Sequence, residues 1–101
     1  MSTAMISQPM NNLSEEKIKE AREDAIRLLE SLQYKVIDTV FDDSIIQKDT
    51  AQIPVAYLAE SIKAMSKCDL VYFCKGWEQA RGCRIEHLIA ENYGIGIIEE
   101  C

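Results

Sequence analysis

The sequence predicts an α/β fold in which helices cover both faces of one parallel sheet. Short apolar runs typical of buried strands alternate with longer segments whose apolar residues recur at three- and four-residue steps. The order along the chain is strand, helix, strand, loop, helix, strand, helix, strand. Strands that alternate with helices in this way form a parallel sheet with right-handed crossovers. We therefore expect a four-stranded parallel sheet with the spatial order 2-1-3-4.

The first strand and the first helix are the clearest elements of the N-terminal half. Residues 4–10 form a brief apolar run, with Ser7 and Gln8 at the carboxyl end of the strand. Either Asn12 or Ser14 is suited to cap the helix that follows. The helix has a single apolar stripe and a charged opposite face, so it is expected to cover one side of the sheet. The stripe consists of Ile18, Ala21, Ala25, Leu28, Leu29 and Leu32.

A second short strand is predicted at 34–38, and after it the periodic pattern is lost. From Thr39 to Pro54 the chain is largely polar and aperiodic. A loop of this length in a small domain is either a solvated connection or a lid that is mobile until it closes over a ligand. Both interpretations stay open. Pro54 suits the first position of the next helix, whose apolar residues are Val55, Leu58, Ala59, Ile62 and Met65.

The C-terminal half contains a strand that leads through a polar loop into a helix. Leu70–Cys74 is typical of a buried strand, and Gly76 and Gly82 bracket the loop. From Cys83 the apolar residues take helical spacing, and Gly94 supplies the residue expected just past a helix end. Such a junction presents free backbone N–H groups at one point, the usual place for a ligand in an open α/β sheet.

The last strand, Ile95–Ile98, completes a doubly wound, Rossmann- or flavodoxin-like sheet whose switch point lies between strands one and three. This topology places the loop Ser7–Met10 beside the loop Gly76–Gly82 at the mouth of the crevice, where the strands have their carboxyl ends. Glu86 lies early in the last helix and faces the same mouth, so we take it as the chemical centre of the chain. Four strands and three helices leave sheet edge and apolar surface uncovered, which predicts a homo-oligomer.

Composition narrows the class of protein. A chain of 101 residues with 48% hydrophobic and 28% charged residues fits one globular domain over residues 1–101. The net charge of −6 argues against a nucleic-acid surface, although a small nucleotide remains compatible. No membrane span or signal peptide is apparent, so we expect a cytoplasmic protein. The four cysteines lack metal-ligand spacing, and we expect reduced thiols, no metal and no cofactor.

Three segments resemble the nucleoside 2-deoxyribosyltransferase-like family, especially a short branch from bacteria and their phages. They are Met5–Met10 (MISQPM), Cys68–Phe73 (CDLVYF) and Gly76–Glu86 (GWEQARGCRIE), in the family's order. The resemblance implies that Glu86, four residues after Gly82, attacks the anomeric carbon of a 2′-deoxynucleoside. A glycosyl-enzyme ester would form, and water or a second base would then take the sugar.

The chain departs from the family's pattern at two acidic positions, where it has Ala80 and Ser61. The family's carboxylates at these positions bind the sugar and transfer the proton of the base. Two functions therefore stay open, besides a structural domain with a vestigial site. One is cleavage or exchange of the N-glycosidic bond of a nucleoside or nucleotide. The other is a non-catalytic protein that holds a nucleotide-like ligand, for example a phage protein that sequesters a nucleotide signal.

Several other residues at the same mouth are candidates for ligand contacts. Trp77 either stacks on a base or anchors its loop, and Arg81 or Arg84 is suited to a phosphate. His87 adjoins Glu86 but points elsewhere on the helix, so we interpret it as structural or as an interface residue. The candidate substrate-binding set is Ser7, Gln8, Pro9, Met10, Ser61, Gly76, Trp77, Arg81 and Gly82.

Overall fold

A computed structural model describes residues 2–10, 13–37 and 49–100. It has the α/β fold that the sequence predicts, with strands and helices alternating along the chain. The strands are β1 (Ser2–Ser7), β2 (Tyr34–Val36), β3 (Leu70–Phe73) and β4 (Gly96–Glu99). The helices are α1 (Glu15–Ser31), α2 (Ile53–Met65) and α3 (Arg81–Asn92), and a short 3₁₀ turn covers Trp77–Gln79.

The strands form one parallel sheet in the order β2-β1-β3-β4, which confirms the predicted topology. In the central pair Ala4 lies opposite Leu70, and Ser7 lies opposite Phe73. The carboxyl ends of β1 and β3 therefore lie side by side. The helices after these two strands go to opposite faces of the sheet, and this divergence opens a crevice at the switch point.

Alternation of side chains along the strands creates two apolar cores, one on each face of the sheet. The first lies between the sheet and α1 and contains Ala4, Ile6, Ala25, Leu29, Leu70, Tyr72 and Cys74. The second lies between the sheet and the pair α2 and α3, and contains Met5, Ala64, Met65, Val71, Phe73 and Ala90. All four residues of β3 are buried, as expected for a central strand covered on both faces.

Helix α1 begins as the sequence indicates. The Ser14 hydroxyl accepts a hydrogen bond from the backbone N–H of Lys17 at 3.2 Å, so Ser14 is the cap. Glu15 and Glu16 occupy the first turn, where the helix dipole favours negative charge. The alternative cap, Asn12, lies outside the described residues.

The other two helices begin slightly earlier than predicted. Helix α2 starts at Ile53 and α3 at Arg81, whereas the sequence indicated Pro54 and Cys83. Helix α3 ends at Asn92, two residues before Gly94, whose φ is +70°, and the N–H of Ile95 donates to the Ala90 carbonyl at 3.0 Å. This is the bond of a Schellman cap, which requires a left-handed residue at the position of Gly94.

Most of the predicted loop from Thr39 to Pro54, the part at 39–48, lies outside the described residues. Its last residues are described and lead directly into α2. Within the described ranges, no helix combines the length and the apolar character needed to cross a membrane.

Candidate functional site

A cavity of about 620 Å³ opens at the carboxyl end of β1, within the range of small-molecule sites. The end of β1 and the residues that follow it form one wall, and residues of α2 between Ile53 and Ser61 form another. The first turns of α3 form a third wall, while Arg22 reaches the cavity from α1. The cavity thus occupies the switch point of the sheet.

Eight of the ten candidate site residues predicted from the sequence line this cavity. They are Ser7, Gln8, Pro9, Met10, Ser61, Arg81, Gly82 and Glu86. The other two, Gly76 and Trp77, lie outside its lining. Ala80, at a position where the resembled family has an acid, also lines the cavity, as does Ser61 at the second such position. The structure therefore brings most of the predicted residues together around Glu86.

Glu86 is held by a hydrogen bond that crosses from α3 to the end of β1. The Ser7 hydroxyl donates to Glu86 Oε1 at 2.8 Å. Both residues are buried, with 2% of Ser7 and 7% of Glu86 exposed. Ser7 shares the strand face of Met5, which packs towards α2 and α3, so its side chain meets α3. The side chain of Glu86 is thereby fixed at the wall of the cavity.

Burial raises the pKa of the Glu86 carboxyl above its ordinary value, and the hydrogen bond from Ser7 opposes this in part. The cause is desolvation of the charged form. A carboxyl in this setting is a stronger base and nucleophile when ionised, and a proton donor when protonated. Either form can act on a ligand in the cavity.

Cys83 lies next to this pair and lines the cavity. Burial raises the pKa of the Cys83 thiol above its ordinary value, and the nearby Glu86 charge raises it further. Since the thiolate is the reactive form of cysteine, this raised pKa disfavours Cys83 as a nucleophile.

We predict that Glu86→Gln stabilises the fold at neutral pH by roughly 1 kcal/mol. The pKa of Glu86 is higher in the folded than in the unfolded chain. The favourable contribution of Glu86 to the free energy of unfolding is therefore fully present below its unfolded-state pKa. This contribution is lost as the pH rises through the folded-state pKa. Glutamine keeps the oxygen that accepts from Ser7 but carries no charge. Denaturant unfolding should be measured from about pH 4 to about pH 8. The free energy of unfolding of the wild type should fall further below that of Glu86→Gln as the pH rises.

Glu20→Gln is the matched control for this prediction, because Glu20 is an exposed glutamate on α1. Its free energy of unfolding should follow that of the wild type within about 0.5 kcal/mol at every pH. A Glu86→Gln difference that stays constant over the same range would contradict the prediction.

Trp77 packs into the core on the α3 side. Its indole stacks on the His87 imidazole, with ring centroids 4.0 Å apart and planes 7° from parallel. The His87 nitrogens face two carboxylates, Glu91 Oε1 at 2.6 Å and Glu99 Oε2 at 2.5 Å. This cluster joins α3, β4 and the turn after β3. In the structure Trp77 therefore anchors its loop, and His87 is directed away from Glu86.

Sequence reasoning missed several lining residues, notably Arg22, Tyr57 and Leu58. Arg22 lies in the buried row of α1, four residues after Ile18 and three before Ala25, and nothing in this spacing distinguishes a cavity from the edge of the core. Tyr57 and Leu58 are typical of a core-facing stripe. One available signal was the composition of α2, which has only two charged residues, Glu60 and Lys63. A helix that is apolar on most sides needs a second surface to cover.

Gln8 leaves one polar atom unsatisfied at the cavity. Its Nε2 donates to the Ile18 carbonyl at 2.5 Å, while its buried Oε1 has no partner among the described residues. Buried acceptors are normally satisfied, so this oxygen suits a donor on a ligand. No cluster of three or more His, Cys, Asp or Glu side chains within 2–10, 13–37 and 49–100 is arranged to hold a metal ion.

The fold and the site define an α/β protein with a ligand-sized cavity at the switch point of a parallel sheet, built around a buried carboxyl. The chain belongs to the family described as "Domain of unknown function (DUF4406)", whose family model matches residues 3–99. The match runs from the first strand to the last. Comparison with curated proteins and with solved structures gave no match for this chain.

Proposed function

We propose that the chain binds a nucleoside or nucleotide in this cavity and cleaves its N-glycosidic bond, with Glu86 as the nucleophile. The observation that carries the proposal is the buried Glu86 carboxyl, held by Ser7 at the wall of a cavity of about 620 Å³. Burying a carboxyl with a single hydrogen-bond donor is unfavourable for folding. Groups of this kind with perturbed pKa values are concentrated at functional sites.

The chemistry follows from the position of the two carboxyl oxygens. Ser7 donates to Oε1, so Oε2 is the oxygen available to attack the anomeric carbon. As the new C–O bond forms, the bond to the base breaks, and the base leaves with its electron pair and takes a proton from water. Water then attacks the anomeric carbon of the glycosyl ester, which releases the sugar and restores the carboxylate. Exchange would result if a second base took the place of this water.

One observation favours a second candidate function, the non-catalytic binding of a nucleotide-like ligand. Glu86 is the only acid among the described residues that line the cavity. Glycosidic cleavage normally uses a second carboxyl for proton transfer, and Ala80 and Ser61 supply none. Binding without turnover needs only the cavity and polar groups such as Gln8 Oε1.

Incubation of the protein with the common 2′-deoxynucleosides and their 5′-monophosphates tests the proposal. We expect release of free base, measured by chromatography. A thermal-shift screen over the same compounds separates the alternatives, because a ligand that binds only the folded state raises the melting temperature. A thermal shift without base release would support the binding function. Neither base release nor a shift with any of these compounds would contradict both functions.

We also propose that the chain forms a homo-oligomer through the face that carries α2 and α3. Val55 on α2 and Leu88 on α3 are each 60% exposed, although large apolar side chains favour burial. Light scattering at micromolar concentration should give a molecular mass of at least twice the 11.5 kDa of one chain. Val55→Glu or Leu88→Glu should shift this mass towards the monomer, whereas Leu28→Glu on the opposite sheet face should not. A monomeric wild type would contradict the proposal.

A further inference from the structure

The described residues that line the cavity include more cations than acids, although the chain as a whole is acidic. The whole protein carries a net charge of −6. The described lining residues include two cations, Arg22 and Arg81, and one acid, Glu86. Burial raises the pKa of that acid and so favours its neutral form. A cleft of positive charge in an acidic protein concentrates anions from solution and rejects cationic ligands.

The two arginines reach the cavity from opposite faces of the sheet. Arg22 lies on α1, and Arg81 is the first residue of α3. Arg81 is exposed, and its guanidinium group makes no hydrogen bond or ion pair with another described residue. The first turn of α3 contains no acid, so no neighbouring carboxylate in that turn neutralises Arg81. Its guanidinium group is therefore available to a ligand.

We propose that the ligand carries a phosphate group that lies between Arg22 and Arg81, so that the cavity takes nucleoside 5′-phosphates in preference to nucleosides. This inference rests on the proposed nucleoside or nucleotide site and specifies its substrate class. Guanidinium groups form paired, charge-assisted hydrogen bonds with phosphate oxygens. Neither arginine would gain these bonds from an uncharged nucleoside.

The spacing along α3 supports a phosphate on C5′ of the sugar. Arg81 and Glu86 are five residues apart, which corresponds to roughly 7.5 Å along a helix axis. In a nucleoside 5′-phosphate the phosphorus is separated from the anomeric carbon by the ring and the C5′ methylene. A phosphate on C5′ of a sugar whose anomeric carbon lies at Glu86 is therefore at a distance that the long side chain of Arg81 can reach.

Calorimetric titration with 2′-deoxynucleosides and their 5′-monophosphates tests the inference, using Glu86→Gln so that no ligand is consumed. We expect each monophosphate that binds to bind at least about tenfold more tightly than its nucleoside. The preference should shrink as the salt concentration rises. Arg81→Ala in the same background should remove most of this preference for the monophosphate over its nucleoside.

Two neighbouring arginines provide matched controls. Arg84 lies one turn further along α3, is exposed and does not line the cavity. Arg84→Ala should keep the full preference for the monophosphate. Arg22→Gln should lose it, whereas Arg27→Gln, on the exposed side of α1, should not. Circular dichroism melting curves confirm that each variant is folded before affinities are compared.

The outcomes separate this inference from the proposed glycosidic cleavage. A phosphate preference that depends on Arg81, without base release by the wild type, would support the phosphate site and contradict cleavage. Equal cleavage of nucleosides and nucleotides, with no effect of Arg81→Ala, would overturn the phosphate site and support cleavage. 2-Deoxyribose 5-phosphate, which has no glycosidic bond, should bind wild type and lose about tenfold in affinity with Arg81→Ala. Equal affinity for both proteins would overturn the inference.

Discussion

Glu86→Gln is expected to abolish the release of free base from every 2′-deoxynucleoside or 5′-monophosphate that the wild-type protein cleaves. The loss should be about 10⁴-fold or more, because removing a covalent nucleophile eliminates the reaction path itself. The amide oxygen can still accept the hydrogen bond from Ser7, so the wall of the cavity keeps its shape. Turnover measured by chromatography and stability measured by denaturant unfolding should therefore change in opposite directions.

Glu78→Gln is the matched control, because Glu78 is exposed and lies outside the lining of the cavity. This variant should retain wild-type turnover within about twofold. A 2-fluoro-2-deoxyribosyl nucleoside should leave an adduct whose mass locates to the peptide containing Glu86. Equal hydrolysis by the wild type and Glu86→Gln would remove Glu86 from the mechanism.

The sheet topology was predictable because each element keeps the period of its own secondary structure. The stripe of α1 repeats at helical spacing, and β3 is a short run of apolar residues. The handedness rule for crossovers then leaves few strand orders. The start of α3 was less predictable, because Gly82 is unfavourable inside a helix by about 1 kcal/mol. A Cβ at Gly82 would meet no atom within 4 Å, so packing does not require glycine there.

The site was predictable in location but not in its contacts. The switch-point rule placed Ser7 and Glu86 at the same mouth, yet their hydrogen bond depends on which face of β1 carries Ser7. A short run buried on both faces has no polar alternation that identifies its two sides. The role of Trp77 was equally open, because its stacking partner His87 lies ten residues further on, on another element.

Phe73→Ala should lower the free energy of unfolding by about 3–5 kcal/mol, a large loss for a single substitution. Phe73 is fully buried at the end of β3. Its ring lies 4.8 Å from that of His87 and 5.6 Å from that of Trp77, measured between centroids. Truncation leaves a void beneath both rings, and small domains have only about 5–15 kcal/mol of total stability. Guanidinium unfolding should show a much lower midpoint.

Tyr93→Ala is the matched control for Phe73→Ala, because it also removes an aromatic ring but from a side chain that is 79% exposed. Its free energy of unfolding should change by no more than about 0.5 kcal/mol. Phe73→Leu keeps an apolar side chain in place and should be much less destabilising than Phe73→Ala. Because Phe73 supports the His87 side of α3, and Glu86 is on the same helix, Phe73→Leu should also weaken ligand binding. Equal losses of stability in Phe73→Ala and Tyr93→Ala would show that the α3-side core does not hold this helix in place.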